Sequence, residues 1–438
     1  MPSLKIIDSK NIAIGDSEGL DLNAMDHARR EMEAIKSQGT AAVLKSAEKF
    51  GEVKNGESMM IQVTSLKEAY DSLDKNDREC LDRVASRIIK FATAQRLAIQ
   101  EFEIEIPGGH AGHTVSPVEV AGCYAPGGRY PLPSSVLMTV CTAKAAGCKS
   151  IVLASPKPSQ VTLAAAYVAG ATHVLAIGGA HAICAMALGA GVPRCDIICG
   201  PGNKWVTAAK AVASISACVG IDMLAGPSEV LVIADESADP GLIAADLLAQ
   251  AEHDVVARPI LVTLGQNAID IIANVNKELQ SQLETLPTKA VASPAVECGF
   301  AVPCSSIDEA VRVADAVAPE HLEIITKNPQ QIADKCNHYG GLFIGMGAAE
   351  VLGDYGIGPN HTLPTSGTAR YTGGLSVLHF LRVRTWMRID NSQQSQPAVQ
   401  DAIILARHEG LEAHARAAER RLSSLNHDEQ PAAKKPKI

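Results

Sequence analysis

The sequence holds thirteen histidines, and a few of them stand beside groups with which an imidazole does chemistry. Gln250 and His253 close the run LIAADLLAQAEH. Three positions apart, they share one face of a helix and could present an amide oxygen and an imidazole to one metal ion. The same spacing describes a hydrophilic helix end, and taken alone it favours that plainer reading. Glu320 and His321 follow a proline and enter the apolar run LEIIT. A carboxylate beside an imidazole can work as an acid–base pair; a solvated helix–strand loop is the alternative. Residues 353–367, GDYGIGPNHTLPTSG, place four glycines and two prolines around Asp354 and His361. A hard oxygen ligand and an imidazole in a loop so rich in turn residues suit a site, although a long surface loop has the same composition. Glu409 and His414 lie in RHEGLEAHARAAERRL, which equally reads as a surface helix laced with i, i+4 pairs. His27, His110, His113, His173, His338, His379, His408 and His427 have no ligand-like company and are assigned structural or surface places.

A second set of signals is glycine-rich: APGG (125–128), IGGAH (177–181), GPGN (200–203) and AGPSE (225–229). Glycine at a strand end lets backbone N–H groups approach a phosphate closely. Each turn alone is weak, and neither G-x-G-x-x-G after a strand nor G-x-x-x-x-G-K-[ST] occurs.

These residues need a scaffold. Residues 20–105 have the apolar spacing of helices. From about residue 118, short apolar runs alternate with Ala-rich helical stretches: SIVLASP (150–156), HVLAIGG (173–179), DIICGPG (196–202), EVLVIAD (229–235), ILVTLG (260–265), LEIIT (322–326) and GLFIGMG (341–347). Buried parallel strands read this way, and the alternation predicts a doubly wound α/β fold. KSIVLASP and RPILVTLG each follow an Ala-rich helix, an internal echo that suggests two similar α/β halves. The pattern breaks near residue 373 and gives way to a helical C-terminal region. The polar end, SSLNHDEQPAAKKPKI, is expected to be disordered; its AAKKPKI only faintly resembles a nuclear-import stretch.

Composition narrows the function classes. Hydrophobic residues make up 47% and charged residues 20%, enough apolar material for a substantial core. A net charge of −9 and 3% aromatics argue against a nucleic-acid binder. Eleven cysteines without a CxxC pair predict reduced core thiols, hence a cytoplasmic protein. The N-terminus lacks the features of a secretory signal, and no apolar stretch approaches the ~20 residues that span a membrane.

Taken in order, GCYAPGG, GPGN, AGPSEV, QAEH, PEHL, GDY…NHTLPT and EGLEAH resemble the histidinol dehydrogenase family from about residue 20 to 422. The resemblance implies two similar incomplete Rossmann-like domains with parallel-rich sheets, plus small N-terminal and helical C-terminal extensions. It divides the chain into an extension at 1–19, a first α/β domain of 20–123 with 229–372, a second of 124–228 on the cofactor side, a helical dimerisation segment at 373–425, and the tail at 426–438. It implies one zinc ion per subunit, held by Gln250, His253, Asp354 and His414, with Glu320 and His321 as the catalytic acid–base pair. Ser228, His361 and Glu409 would contact substrate; Tyr124, His181 and Asn203 would lie near NAD. The family's homodimer would supply Glu409 and His414 from the other subunit. The implied reaction oxidises a small polar alcohol through a bound aldehyde to the carboxylate, with L-histidinol the default substrate.

There are departures. The family's GGAQAI has His181 where glutamine is usual. GCYAPGGRYPL, TAKAAGC, YTGGLSV and GLEAHARAAERRL look closer to the sulfopropanediol dehydrogenase branch, for whose sulfonated diol Arg129 and Arg370 are candidate contacts, whereas AGPSEV and GDYGIGPNH look closer to true histidinol dehydrogenases. A non-catalytic paralogue is the other alternative, although every metal and acid–base position is filled by a competent residue.

Overall fold

A computed structural model describes residues 2–12, 20–54, 56–127 and 130–423. The chain divides into two compact units, Met1–Arg96 with Val118–Phe380, and Leu97–Pro117 with Leu381–Ile438.

In chain order the strands are β1 (Lys5–Ile6), β2 (Met60–Ile61), β3 (Phe102–Ile106), β4 (Gly109–Pro117), β5 (Val120–Tyr124), β6 (Ser150–Ala154), β7 (His173–Leu175), β8 (Ile197–Cys199) and β9 (Gly220–Ile221). There follow β10 (Glu229–Ala234), β11 (Arg258–Leu264), β12 (Phe300–Cys304), β13 (His321–Ile325), β14 (Gly341–Ile344) and β15 (Leu381–Ile389). All seven apolar runs singled out above become strands.

The larger unit holds two six-stranded sheets. One has the order β2-β7-β6-β5-β8-β9, the other β1-β12-β11-β10-β13-β14. The second is parallel throughout. The first is parallel except where β2 pairs with β7. Position by position the two orders coincide, and the echoing segments, β6 and β11, occupy the same place in each. The expected pair of α/β halves is present. Central strands are buried on both sides, as in β10, where all six residues are inaccessible. That explains their continuous apolar runs.

The elements are shared out differently from the expected division. β2 and β5, from the 20–123 segment, join the sheet that contains β6 to β9. Helix Leu22–Gln38 buries Met25, Met32 and Ile35 in the same core as Ile183 and Val206. β1, near the N-terminus, crosses to the other sheet, and Arg87 of helix Lys75–Leu97 donates to the Gly356 carbonyl of that half at 2.7 Å. Hydrophobic burial on both faces of each sheet recruited these helices, whose own spacing says nothing about which sheet they cover.

The smaller unit carries β15-β4-β3 and the helices Gln396–His408 and Glu412–Ser423. A nine-residue strand therefore opens a region expected to be helical, pairing along its length with β4. The tail at 426–438 lies outside the described residues. Eight of the eleven free cysteines are buried, and burial raises the thiols of Cys141, Cys184 and Cys195 to about 12, as fits inert core thiols.

Candidate active site and metal cluster

The strands β10 and β13 are neighbours, with Val230 opposite His321. Ser228, Glu229, Glu320 and His321 therefore gather at the amino edge of this sheet. Helix Pro240–Ala251 connects two parallel strands, β10 and β11, and so runs back against them; its last turn returns to the same edge. That turn carries Gln250. His253 lies beyond the helix, in a turn where its N–H donates to the Gln250 carbonyl at 3.3 Å. The shared helical face expected for the two residues is thus replaced by a helix end and its following turn.

His321 is held on one side. Its Nδ1 lies 2.9 Å from the Glu229 carbonyl and 2.8 Å from the Gln250 amide. A carbonyl only accepts, so we assign the proton to Nδ1, which leaves Nε2 as the free base. Nε2 is buried and without a hydrogen-bond partner. Burial, then the neighbouring His361, hold this imidazole well below its usual pKa, so it is neutral near pH 7. His361 stacks on it with centroids 4.6 Å apart and planes 15° apart. Gly353 makes room: a Cβ there would lie 2.3 Å from His361 Nδ1. Rotating the Gln250 amide would instead aim its NH2 at His321 Nδ1, Glu350 Oε2 and the Glu229 carbonyl; the carbonyl's short contact to Nδ1 favours the unrotated form.

Glu320 is buried, and burial pushes its carboxyl well above the usual range. Its Oε2 accepts the Glu229 N–H at 3.0 Å, and Oε1 lies 3.9 Å from His321 Nε2. A carboxyl whose proton affinity is raised by burial is suited to exchange a proton with a bound reactant.

Donor atoms of His253, Glu350 and Asp354 all lie within 4.8 Å of one another, the arrangement of a metal cluster. His253 Nε2 is 3.5 Å from Asp354 Oδ2, and His361 Nε2 is 3.4 Å from Asp354 Oδ1. Ligands at ~2.1 Å from a tetrahedral ion are about 3.4 Å apart, so the His253–Asp354 spacing fits zinc. Asp354 lies below its usual pKa: burial pushes it up, but the His253 hydrogen bond and the His361 charge outweigh it. An ionised carboxylate and imidazoles are a suitable donor set. Glu350 is the residue the motifs did not reveal. It is 1% exposed, with its carboxylate 4.0 Å from His253 Nε2 and 3.7 Å from His321 Nδ1. Its N–H donates to Glu323 Oε1 at 2.7 Å.

The residues expected near NAD sit at the opposite, carboxyl end of the other sheet. Tyr124 ends β5, and its hydroxyl accepts the Gly179 N–H at 3.1 Å. Asn203 caps helix Lys204–Ala217 through the N–H groups of Trp205 and Val206. His181 is buried, 2.7 Å from Glu52 and stacked on Phe50. The same Glu52 carboxylate accepts the Gly178 N–H at 3.0 Å. The histidine that replaces the family's glutamine thus has its own partner, 129 positions away in sequence. Asn360 bridges the two halves by donating to the Met138 carbonyl at 2.8 Å, next to His361.

With this geometry in view, the comparisons are decisive. The histidinol dehydrogenase family profile matches residues 18–422. The chain belongs to the histidinol dehydrogenase family. It is 40% identical over 403 residues to the enzyme of Parasynechococcus marenigrum, covering 90% of each chain. It is 42% identical over 388 residues to that of Thermus thermophilus, covering 88% of this chain and 91% of the relative. The crystal structure of histidinol dehydrogenase from Elizabethkingia anophelis superposes with a TM-score of 0.89 at 33% identity, covering 98% of this chain and 100% of that one. As a member of this family the protein is an NAD-dependent dehydrogenase. Glu409 and His414 lie in the smaller unit: Glu409 caps helix Gln396–His408, and His414 lies in the first turn of helix Glu412–Ser423. Arg370 donates to the Asp315 carbonyl at 2.7 Å, and Arg129 lies outside the described residues. Among the described residues no helix is long and apolar enough to cross a membrane.

Proposed function

We propose that the protein oxidises L-histidinol through a bound aldehyde to L-histidine, with one zinc ion per subunit. The observation that carries the reading is a neutral imidazole with a buried, unpartnered Nε2, beside a high-pKa carboxylate and a cluster of metal donors. Gln250, His253 and Asp354 would hold the zinc, together with the partner subunit's His414. Zinc held there would supply a template that orients the substrate, and NAD would supply the hydride acceptor for each oxidation.

His321 Nε2 takes the hydroxyl proton, while Nδ1–H stays anchored on Glu229. Glu320 then takes a proton from water, which adds to the aldehyde carbon as hydroxide. Overall, one alcohol, two NAD+ and one water yield one carboxylate, two NADH and three protons. Ser228, His361 and the partner's Glu409 orient the substrate; Tyr124, His181 and Asn203 face the cofactor. A homodimer agrees with apolar side chains left exposed on the smaller unit, including Phe102, Ile104, Met387 and Leu405.

The test is a stoichiometric assay of zinc-loaded protein with L-histidinol. Two NADH per histidinol are expected, and Glu320→Gln should stall at the aldehyde after one. Turnover of a sulfonated diol with none of histidinol would overturn the substrate; equal loss of both half-reactions in Glu320→Gln would overturn the role of Glu320.

A further inference from the structure

Beneath the GPGN turn lies an ion pair that the reaction does not use. Lys210, on helix Lys204–Ala217, is 1% exposed. Its ammonium pairs with the Asp222 carboxylate and donates to the Gly200 carbonyl at 3.0 Å. Asp222 Oδ2 accepts the Gly200 N–H at 2.7 Å, and Oδ1 accepts the Met223 N–H, also at 2.7 Å. Both polar groups of the Gly200 peptide backbone are thus held by one buried pair. Gly200 adopts φ +124°, and a Cβ there would lie 2.1 Å from the Tyr124 carbonyl. The residue must be glycine, and the pair fixes it against the end of β5.

A buried ion pair is a poor source of stability, since well-packed apolar residues of similar volume often do as well or better. What the pair supplies here is geometry. It ties the end of β8, the second turn of the following helix and the segment after β9 to one peptide group. Three residues on, Asn203 caps that helix, and Tyr124 presents its hydroxyl to Gly179.

We propose that Lys210 and Asp222 are positioning residues for the cofactor, holding the Gly200–Asn203 turn and Tyr124 in the register that receives the dinucleotide. This rests on the reading that NAD binds at the carboxyl end of this sheet. The pair touches no residue of the metal cluster, so its loss should act on the cofactor and spare the alcohol.

The experiment compares Lys210→Met, Asp222→Asn, the double variant Lys210→Met/Asp222→Leu, and Asn203→Ala, all as zinc-loaded full-length protein. The double variant leaves no unpaired buried charge and guards against simple misfolding. A cooperative melt, zinc content and KM for histidinol should be kept in it, although the orphaned Gly200 and Met223 backbone groups lower the melting temperature, while KM for NAD rises roughly 10- to 100-fold, the scale of a small misplacement of a binding group. A folded double variant with wild-type KM for NAD would overturn the positioning role. If Asn203→Ala also leaves KM for NAD unchanged, the placement of the cofactor at this sheet fails, and the proposal with it. A raised KM in Asn203→Ala beside an unchanged one in the double variant would remove the ion pair alone.

Discussion

The two halves of the larger unit share a strand order yet work from opposite ends. At the carboxyl end of the β2–β9 sheet the chain turns through Pro126, Gly178, Gly179 and Gly200, where bare backbone can meet a phosphate. The β1–β14 sheet has at its carboxyl end a cavity of about 500 Å3 lined by Asp235, Glu236, Asn267, Ser305, Ser306 and Asn328. Carboxylates there are unsuited to a pyrophosphate. The titratable groups of that half gather instead at its amino edge, where burial shifts Glu320 up and His321 down. Equal topology therefore does not give equal chemistry. Ligands of open α/β sheets usually bind beyond the carboxyl ends of strands; under the proposed function one half would follow that rule and the other would not.

This division of labour can be broken most sharply at His321. His321→Ala should lower kcat by ~10²–10⁴-fold, while equilibrium titration with NAD gives wild-type affinity. Parallel loss of NAD binding would show that the two ends do not act separately. Next in size, His253→Ala should weaken zinc binding by at least about 10- to 100-fold, the loss typical of even an outer-shell partner, read by competition with a chromophoric chelator; unchanged metal affinity would remove His253 from the cluster. On the cofactor side, His181→Gln keeps a donor for Glu52 but loses the stack on Phe50. KM for NAD should rise by less than ~10-fold, the ~1.4 kcal/mol equivalent, with KM for histidinol unmoved. A change confined to histidinol would reverse the assignment of the halves.

The smallest effect concerns stability. Burial raises Glu323 to about 8 and its hydrogen-bonded neighbour Asp246 to about 6. Raised carboxyls bind more protons in the folded state. The stability they contribute is complete below about pH 4 and is lost as pH rises through 6 to 8. Glu323→Gln should flatten that slope, by roughly 2–4 °C in melting temperature for each kcal/mol involved. A wild-type melting curve that does not fall between pH 5 and 8 would contradict the shared proton.

Much of the catalytic half was legible because its residues sit in short motifs. Proline before Glu320–His321, and the glycines around Asp354 and His361, are local signals that survive without a fold. The apolar runs announced seven strands for the same reason: a strand buried on both faces has no polar alternation to hide it. Glu350 was not legible. It lies in the plain stretch GAAEVLGD, and only the pairing of β13 with β14 and the Glu323 carboxylate bring it to His321. Nor was β15 visible, because its RVRTWMR alternation is half polar and its partner β4 lies some 270 positions earlier.

Residue order alone was enough to set the chemistry on offer: which imidazoles and carboxylates are adjacent, where glycine permits a turn, and which family the motifs match. These are properties of neighbours along the chain. Which sheet the N-terminal helices cover, that Glu52 meets His181 and that Lys210 lies beneath Gly200 were settled by folding. Glu52 and His181 are 129 positions apart, and no local pattern encodes a partner that distant; Lys210 is only ten positions from Gly200, yet its burial beneath that turn depends on how the helix packs.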